Sequence, residues 1–473
     1  MAHPLADRYA SKAMQGVFSS NKKYGFWRRL WTYLAEAQYE QGLEAIKPEM
    51  HAEMTAHWND VDLQRAGEIE KLTKHDVMAH IRHFGEQCPK AKPIIHLGAT
   101  SMEVGDNTDL KEMREALELV RDKTVKCIHL AGVQAEKHRD LMCLGYTHIQ
   151  PAEPVTMGRR MAQWGYDLSL ALGDIEYRLE RFTGRGAKGT TGTQASFLKL
   201  FNGDAEKVRK MDEAFTTKAG FRRIFLLTGQ TYPRVYDHQI ISALSNLAIP
   251  VYKTGEDICL LQSFGELEEP FEKTQVGSTA MAFKRNPKNT ERMKALARYL
   301  IGKEEGMAHT AAVQKFERTL DDSAFRRIEI PDSFYAADAM LELYMLVMDG
   351  LVVYPKIVSR RLDSLLPFMA TESILMEAVK KGGDRQTIHE KIRGHSMDAA
   401  QRVRDGMEND LLKRIANDEG IPMSQAEINE IMLKRSDFYG LAPQQVDLFL
   451  AEVVEPLRKK YHKALELKSS VEI

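Results

Sequence analysis

The stretch from Gly277 to Pro287 concentrates groups that can stabilise negative charge on an oxygen atom. It supplies a hydroxyl, an ammonium and a carboxamide from Ser278, Lys284 and Asn286. Gly277 frees the backbone, and Pro287 restricts the residue before it to an extended conformation. Such a loop can direct backbone N–H groups and polar side chains at one point, as an oxyanion-binding site requires. An ordinary loop between two helices, with a solvated Lys–Arg pair, fits the same composition.

His148 is the second candidate, in a loop that is bounded by Pro151 and Pro154. Imidazole titrates near neutral pH, which suits a general acid or base. A lone histidine in such a loop is more often a structural hydrogen-bonding group, so residue type alone leaves both interpretations open. A serine hydrolase built from Ser278 and His148 is disfavoured, because no G-x-S-x-G elbow and no strand–turn–helix context is present.

Two other patterns fail as binding motifs. The segment from Gly184 to Thr190 has the glycine content of a phosphate-binding loop, but its lysine precedes the glycine and no strand leads into it. His80 and His83 have the i, i+3 spacing of a metal-binding pair, but no third ligand is evident.

Composition excludes several classes of protein. Lys plus Arg is 66 and Asp plus Glu is 67, so the net charge of −1 predicts no attraction to nucleic acid or to an anionic membrane. The longest apolar runs, such as Leu343 to Met348, are far shorter than the roughly 20 residues of a membrane span. The four cysteines form no C-x-x-C pair, and the first residues have no apolar stretch of the kind a secretion signal needs, so secretion is not expected. A protein of a reducing compartment, the cytoplasm, is predicted.

The elements that must position the two loops are helical. Apolar or small residues recur every three or four positions along three long stretches, which is typical of buried helical seams. These seams run from Leu110 to Ala131, from Met157 to Phe182, and from Ile241 to Ile258 with Pro250 off the seam. Two more helices are predicted, from Asn289 to about Met307 and from Asp332 to about Tyr354.

An all-α protein of three regions follows. Helices of 20 to 30 residues bury their apolar faces only against one another, so residues 107–356 are predicted to form a long-helix bundle. Residues 1–106 contain shorter helices, such as Phe26 to Ile46, and after Pro355 the helices of residues 357–473 are expected to shorten again. Short extended pieces are expected around Leu144 to Pro154, where two prolines forbid a continuous helix.

The loop at Ser278 resembles the signature of the fumarase/aspartase superfamily, Gly-Ser-Ser-x-Met-Pro-x-Lys-x-Asn. Gly277, Ser278, Met281, Lys284 and Asn286 match it at the right spacing. Within that superfamily the chain resembles the animal-type adenylosuccinate lyases, from Arg8 to near the carboxyl terminus. The supporting blocks are Lys74–His80, Ile94–Asp109, Lys188–Phe197, Thr228–Tyr232, Glu268–Lys273 and Phe316–Ser323.

The resemblance implies a central bundle that assembles into a homotetramer, with each active site drawing on three subunits. It also implies a β-elimination of purine nucleotide synthesis that needs neither a metal nor an organic cofactor. Adenylosuccinate would give AMP and fumarate, and succinyl-aminoimidazole-carboxamide ribotide would give the carboxamide ribotide and fumarate. The alternatives are a catalytically silent scaffold and another fumarate-releasing lyase, such as an argininosuccinate lyase.

Site residues are implied position by position. Ser278 matches the general base, His148 the general acid, Glu291 the carboxylate that orients this histidine, and Lys284 and Asn286 the partners of the reacting carboxylate. Thr100, Ser101, Thr147 and Gln230 match the residues that bind the succinyl carboxylates. The nucleotide phosphate is assigned to Arg8, Tyr9, Arg292, Arg318, Ser323 and Arg327, and the nucleotide end to Lys74, His75 and Asp76.

Three residues depart from the family pattern, and none of them removes a catalytic group. Ala282 replaces a proline and is predicted to loosen the signature loop. Lys74 replaces an arginine, which exchanges a planar fork for a point charge. Phe325 replaces an asparagine. The block at Lys74 also fits a plain helix start, capped by Thr73.

Overall fold

The computed structural model describes residues 3–272 and 275–471 and is built almost entirely of helices. Lys273, the last residue of one family-like block, lies outside the described residues. In chain order the helices and strands are α1 (Pro4–Arg8), α2 (Lys12–Val17), α3 (Ser20–Glu40), α4 (Pro48–Ala56), α5 (Leu63–Thr73), α6 (Asp76–Gln87), α7 (Ser101–Lys137), β1 (Met142–Thr147), β2 (Gln150–Thr156), α8 (Met157–Glu180), α9 (Ala195–Leu200), α10 (Ala205–Lys218), α11 (Val235–Ser263), β3 (Leu267–Glu268), α12 (Lys288–Ile301), α13 (Glu304–Ala312), α14 (Asp322–Asp349), β4 (Val352–Val353), α15 (Pro355–Lys380), α16 (Arg385–Arg404), α17 (Leu411–Ala416), α18 (Gln425–Leu433), α19 (Ala442–Phe449) and α20 (Glu455–Lys460).

The centre of the molecule is a bundle of the long helices α7, α8, α11 and α14, with α12 packed on α11 and α14. The predicted seams form its core. Every seam residue from Leu110 to Ala131 is fully buried or nearly so, as are Met157, Met161 and Trp164 of α8. Pro250 stands inside α11 without ending it, as predicted.

Two predicted helices have the wrong bounds. The helix from Asn289 to about Met307 is two helices, because Gly302 and Lys303 end α12 before α13 begins. The helix from Asp332 begins ten residues earlier, at Asp322, because Pro331 is accommodated inside α14 and does not mark its start. That helix also ends at Asp349, before Gly350, and not at Tyr354.

The carboxyl-terminal region also differs from expectation. The helices do not shorten directly after Pro355, since α15 has 26 residues and α16 has 20. They shorten only from α17 onward, where α17, α18, α19 and α20 have 6, 9, 8 and 6 residues. The second half of α15 together with α16, α17 and α18 encloses a hydrophobic cluster of its own, around Ile374, Ile388 and Leu411. The capping box of Ser424 and Glu427 at the start of α18 is confirmed. The division at residues 106 and 356 stays a prediction; α7 begins at Ser101, just before the first of these bounds.

The extended segment between the first two seams is confirmed as an antiparallel hairpin of β1 and β2. Helix α3 occupies Ser20–Glu40 instead of the predicted Phe26 to Ile46. No helix among the described residues is both long and apolar enough to cross a membrane.

Candidate active site

Glu103 makes hydrogen bonds both to the amino terminus of α7 and to the loop at Lys188. Its buried carboxylate accepts hydrogen bonds from the backbone N–H groups of Thr100 at 2.6 Å, Lys188 at 3.0 Å and Gly189 at 2.6 Å. The guanidinium of Arg185, also buried, lies 2.9 Å from the same carboxylate. Because three backbone donors and a charge hold one carboxylate, Thr100 and Ser101 stand on a rigid base.

Asp106, one turn further along α7, joins the amino termini of two more helices. It accepts from the backbone N–H of Tyr232 at 2.9 Å and from Arg234 at 2.9 Å. Arg234 precedes α11 and also donates to Asp322, the first residue of α14, at 2.6 Å. All of these charged groups are buried in pairs, which is the arrangement that buried charges require. The starts of α7, α11 and α14 therefore meet at one place.

Gln230 links two predicted substrate-binding residues directly. Its side-chain amide donates to Thr100 Oγ1 at 3.2 Å, and its carbonyl oxygen accepts from Arg318 at 2.8 Å. The chain passes so close here that a Cβ on Gly229 would lie 2.3 Å from the carbonyl oxygen of Glu317, so only glycine fits. These contacts bring together residues of three separate family-like blocks.

A cavity of about 430 Å³ opens above this junction of helix termini. Six of the fourteen residues predicted to bind substrate line its wall: His75, Asp76, Ser101, Arg318, Ser323 and Arg327. The guanidinium of Arg327 lies 3.2 Å from the Asp76 carboxylate. The cavity thus combines arginines with the amino termini of α6, α7 and α14, and both features favour an anionic ligand.

The block at Lys74 contains a helix start, but the residue that caps this helix is not the expected Thr73. Thr73 is the last residue of α5 and caps nothing, whereas His75 is the N-cap of α6 and its Nδ1 accepts from the Met78 N–H at 3.3 Å. Lys74 joins the two helices in a left-handed conformation, with φ of 53°, and is exposed. The cap of α6 therefore holds His75 at the edge of the cavity.

The signature loop is closed on itself at its base. A Cβ on Gly277 would lie 2.0 Å from the carbonyl oxygen of Lys284, so glycine is required there. The Asn286 amide donates to the Gly277 carbonyl at 3.0 Å. Ser278 Oγ accepts from the N–H groups of Ala280 and Met281 at 3.3 and 3.2 Å. Two N–H donors at one oxygen stabilise negative charge on it, which favours an ionised hydroxyl.

His148 stands at the tip of the hairpin. Thr147 pairs with Gln150, so His148 and Ile149 form a two-residue turn, and both have positive φ, 52° and 60°. Such turns favour glycine and asparagine, and non-glycine residues held in this conformation concentrate at functional sites. Thr147 and His148 are exposed beyond the body of the chain.

The residues of the cavity lie at one end of α11, and the loops that carry Ser278 and His148 lie at the other. Gln230 and Arg234 precede its first residue, whereas Gln262 in its last turn donates to the carbonyl of Arg285 in the signature loop at 3.1 Å. The hairpin also lies at the second end, where Tyr146 stacks on Phe264 with ring centroids 5.8 Å apart. A helix of 29 residues is about 40 Å long at 1.5 Å per residue, so a single small substrate cannot reach both clusters of one chain.

Four other predicted residues lie away from the cavity. Glu291 is the fourth residue of α12 and Arg292 the fifth, close after the signature loop, and Glu291 has no hydrogen bond to His148 within the described chain. Arg8 and Tyr9 end α1, which packs on α14, and neither lines the cavity. Their assigned roles stay predictions.

Sequence reasoning missed the buried groups that position the cavity. They are Glu103, Asp106, Arg185, Arg234 and Arg326. For two of them a signal existed, because acidic residues three apart on the core side of a predicted helix need partners. The departure at Phe325 has a structural account: its ring fills the space beside Gly306, where a Cβ would lie 2.5 Å away.

His80 and His83 have structural roles. His83 Nε2 accepts from the Asp62 N–H at 3.1 Å, and the His80 ring stacks on Tyr24 with centroids 3.8 Å apart. Burial, with smaller contributions from His83 and Arg28, lowers the pKa of His80 to about 4.

The low pKa of His80 predicts a loss of stability in acid. The unfolded chain binds a proton at about pH 6.5, whereas the folded chain binds it only near pH 4, so the unfolded state gains as pH falls between these values. The free energy of unfolding should fall by about 3 kcal/mol from this group alone between pH 7 and pH 4. Urea unfolding across that range checks it, and the fall should be smaller in His80→Phe; an equal fall in that variant would contradict the assignment.

Comparison with known proteins places the chain in a class. A family model described as "Lyase" matches residues 9–302, and one described as "Adenylosuccinate lyase C-terminus" matches residues 367–449. The fold is shared with a fumarate lyase from Mesorhizobium sp. BNC1, at a TM-score of 0.81 and 20% identity over 94% of this chain and 98% of that one. It is shared equally with a 3-carboxy-cis,cis-muconate lactonizing enzyme from Pseudomonas putida, at a TM-score of 0.81 and 20% identity over 96% of this chain and 99% of that one. These likenesses define an all-helical lyase of the fumarase/aspartase superfamily.

Curated relatives narrow the class. The adenylosuccinate lyase of Schistosoma mansoni is 46% identical over 100% of this chain and 98% of its own length. That of Saccharomyces cerevisiae is 44% identical over 98% of this chain and 96% of its own length. The chain belongs to the adenylosuccinate lyase family.

Proposed function

We propose that the chain eliminates fumarate from adenylosuccinate, giving AMP, and from succinyl-aminoimidazole-carboxamide ribotide, giving the carboxamide ribotide. The observation that carries the proposal is the cavity at the start of α7. There Thr100, Gln230 and Arg318 form a hydrogen-bonded chain beside His75 and the start of α14. The hydroxyls of Ser101 and Ser323 in the wall suit carboxylates, and Arg318 and Arg327 suit a phosphate, so the wall fits a substrate with both.

In this proposal Ser278 is the general base. Its ionised oxygen, stabilised by the N–H groups of Ala280 and Met281, takes the proton from the carbon next to a succinyl carboxylate. The electron pair moves onto that carboxylate, where Lys284 and Asn286 stabilise the added charge. The pair then returns to form the double bond of fumarate, the carbon–nitrogen bond breaks, and His148 donates a proton to the leaving nitrogen. Glu291 orients the imidazole.

A complete site requires more than one chain, and we propose a homotetramer in which three subunits contribute to each site. The cavity and the two catalytic loops of one chain lie at opposite ends of α11. Large apolar side chains are exposed along the long helices, among them Tyr166 and Leu170 of α8 and Ile249 of α11. Exposed apolar strips on long helices mark association surfaces. A monomeric mass by light scattering at micromolar concentration would refute the assembly.

The decisive experiment measures fumarate release from both nucleotide substrates. Release that depends on Ser278 and His148 supports the proposal. Release from argininosuccinate alone would indicate the other lyase, and turnover of acyl esters would indicate a hydrolase. Activity no greater than that of Ser278→Ala would favour a scaffold without catalysis.

Arg318→Gln tests the cavity as the substrate-binding wall. Because the guanidinium donates to Gln230 and faces the cavity, its loss should raise KM for adenylosuccinate about tenfold to a hundredfold, with a smaller effect on kcat. Steady-state kinetics measure both constants. Lys315→Gln, an exposed change in the same loop, is the matched control and should leave KM unaltered. An unchanged KM in Arg318→Gln would remove the cavity from substrate binding.

We also propose a cytoplasmic location. The proposal is supported by the four cysteines, all of which are free thiols, three of them buried.

A further inference from the structure

One wall of the cavity is a face of α3 that no predicted site residue occupies. Ser20, Lys23, Tyr24 and Trp27 line the cavity from this helix. Their spacing of three and four places them on one side of α3. Of the four, only Lys23 is charged, and its side chain is 29% exposed.

The carboxylates of the cavity wall are already paired with arginines. Each of the three has an arginine guanidinium within 3.2 Å: Asp322 with Arg234 at 2.6 Å, Asp109 with Arg326 at 3.0 Å, and Asp76 with Arg327 at 3.2 Å. Arg234 and Arg326 have further buried carboxylate partners, in Asp106 and Asp237. Positive charge that faces the cavity must therefore come from other side chains.

Two cations of the wall carry that charge. Arg318 binds only the neutral carboxamide of Gln230 at 2.8 Å, and its Nε is buried without a hydrogen-bond partner in the described chain. Lys23 Nζ lies 3.5 Å from Asp109 Oδ1, a long contact with a carboxylate that Arg326 already holds more closely. An ammonium has three donors, and this contact uses one of them.

Lys23 keeps its charge in this position. Burial by itself disfavours the ammonium, but the carboxylates of Asp109 and Glu112 outweigh burial and raise the pKa of Lys23 above its ordinary value. Tyr24 acts in the same direction, and Arg327 acts against it. A charged lysine with free donors thus faces a cavity whose acidic groups are paired.

We propose that Lys23 is a further substrate-binding residue, whose ammonium group binds an oxygen of the nucleotide phosphate together with Arg318. This inference rests on the proposed function, because it takes the ligand of the cavity to be a nucleotide. A compact ammonium binds a phosphate oxygen as a point charge, and a planar guanidinium binds two, so the pair is complementary. Lys23 then sets the preference for a phosphorylated ligand over a nucleoside.

The test is calorimetric binding of AMP and of adenosine to the full-length protein. In Lys23→Met the dissociation constant for AMP should rise about tenfold to a hundredfold, since a hydrogen bond to a charged group is lost. The constant for adenosine should not change. Lys23→Arg should restore most of the AMP affinity, which a merely structural role would not predict. Lys22→Met is the matched control, because Lys22 pairs with Glu115 outside this cavity.

The outcomes separate this inference from the function on which it rests. An unchanged AMP constant in Lys23→Met, or an equal loss for AMP and adenosine, would overturn the role of Lys23. Unsubstituted protein that binds AMP but releases no fumarate would instead refute the proposed reaction. Unsubstituted protein that binds no AMP would overturn both.

Discussion

Replacing Ser278 with alanine is expected to lower kcat for fumarate release about a hundredfold to ten-thousandfold, the usual contribution of a positioned general base. Ser278 Oγ accepts hydrogen bonds from two backbone N–H groups, which stabilise its ionised form. Removing one hydroxyl should leave KM within a few-fold, since the residues that bind the substrate are those of the cavity wall and Ser278 is not one of them. Steady-state kinetics with both nucleotide substrates measure the two constants separately.

Thr279→Ala is the control for this change. It removes the neighbouring exposed hydroxyl of the same loop and should retain most of the activity. A Ser278→Ala protein with more than about a tenth of the normal kcat would show that another group removes the proton.

Mixing two inactive proteins should restore activity. Ser278→Ala and His148→Ala chains, dissociated together and reassembled, are expected to recover about a quarter of the normal activity, if serine and histidine reach a site from different subunits and assort at random. The expectation follows from the proposed sharing of each site by three subunits, and it is consistent with the exposure of both loops at one end of α11, remote from the cavity of their own chain. Fumarate release is followed as the two proteins are combined in varying proportion.

A second mixture makes the result specific. Ser278 and Lys284 lie in one loop of one chain, so Ser278→Ala and Lys284→Ala chains can never assemble an intact loop and should recover nothing. Recovery in both mixtures, or in neither, would contradict a site shared in the proposed way.

The buried seams were the most predictable part of the fold. A three- and four-residue repeat leaves one interpretation for α7, α8 and the middle of α11, because only a helix puts those residues on one face. Helix ends were less predictable. Pro331 sits inside α14, and Gly302 with Lys303 divides α12 from α13, although proline usually marks a boundary and a short break leaves the apolar repeat intact.

The site, like the fold, has parts that local sequence could predict and parts that it could not. The signature loop and His148 could be singled out from local sequence because a loop carries its polar groups in a short run, but their roles came from the family resemblance and stay predictions. Asp106, Arg234 and Asp322 were not, since their pairing depends on three helix termini that are far apart along the chain and meet only in the folded protein. Lys23 could not be predicted for a different reason. The sequence of its helix does not distinguish it from Lys22, and only the packing of α3 places Lys23 at the cavity and Lys22 beside Glu115.

The length of α11 has a consequence for the enzyme in dilute solution. If the proposed tetramer forms, an isolated chain would keep its hydrophobic core but would carry parts of two different catalytic centres, one at each end of the helix. The specific activity would then fall as the tetramer dissociates on dilution. Circular dichroism would still report intact helices. The concentration of the protein would then determine whether it is active.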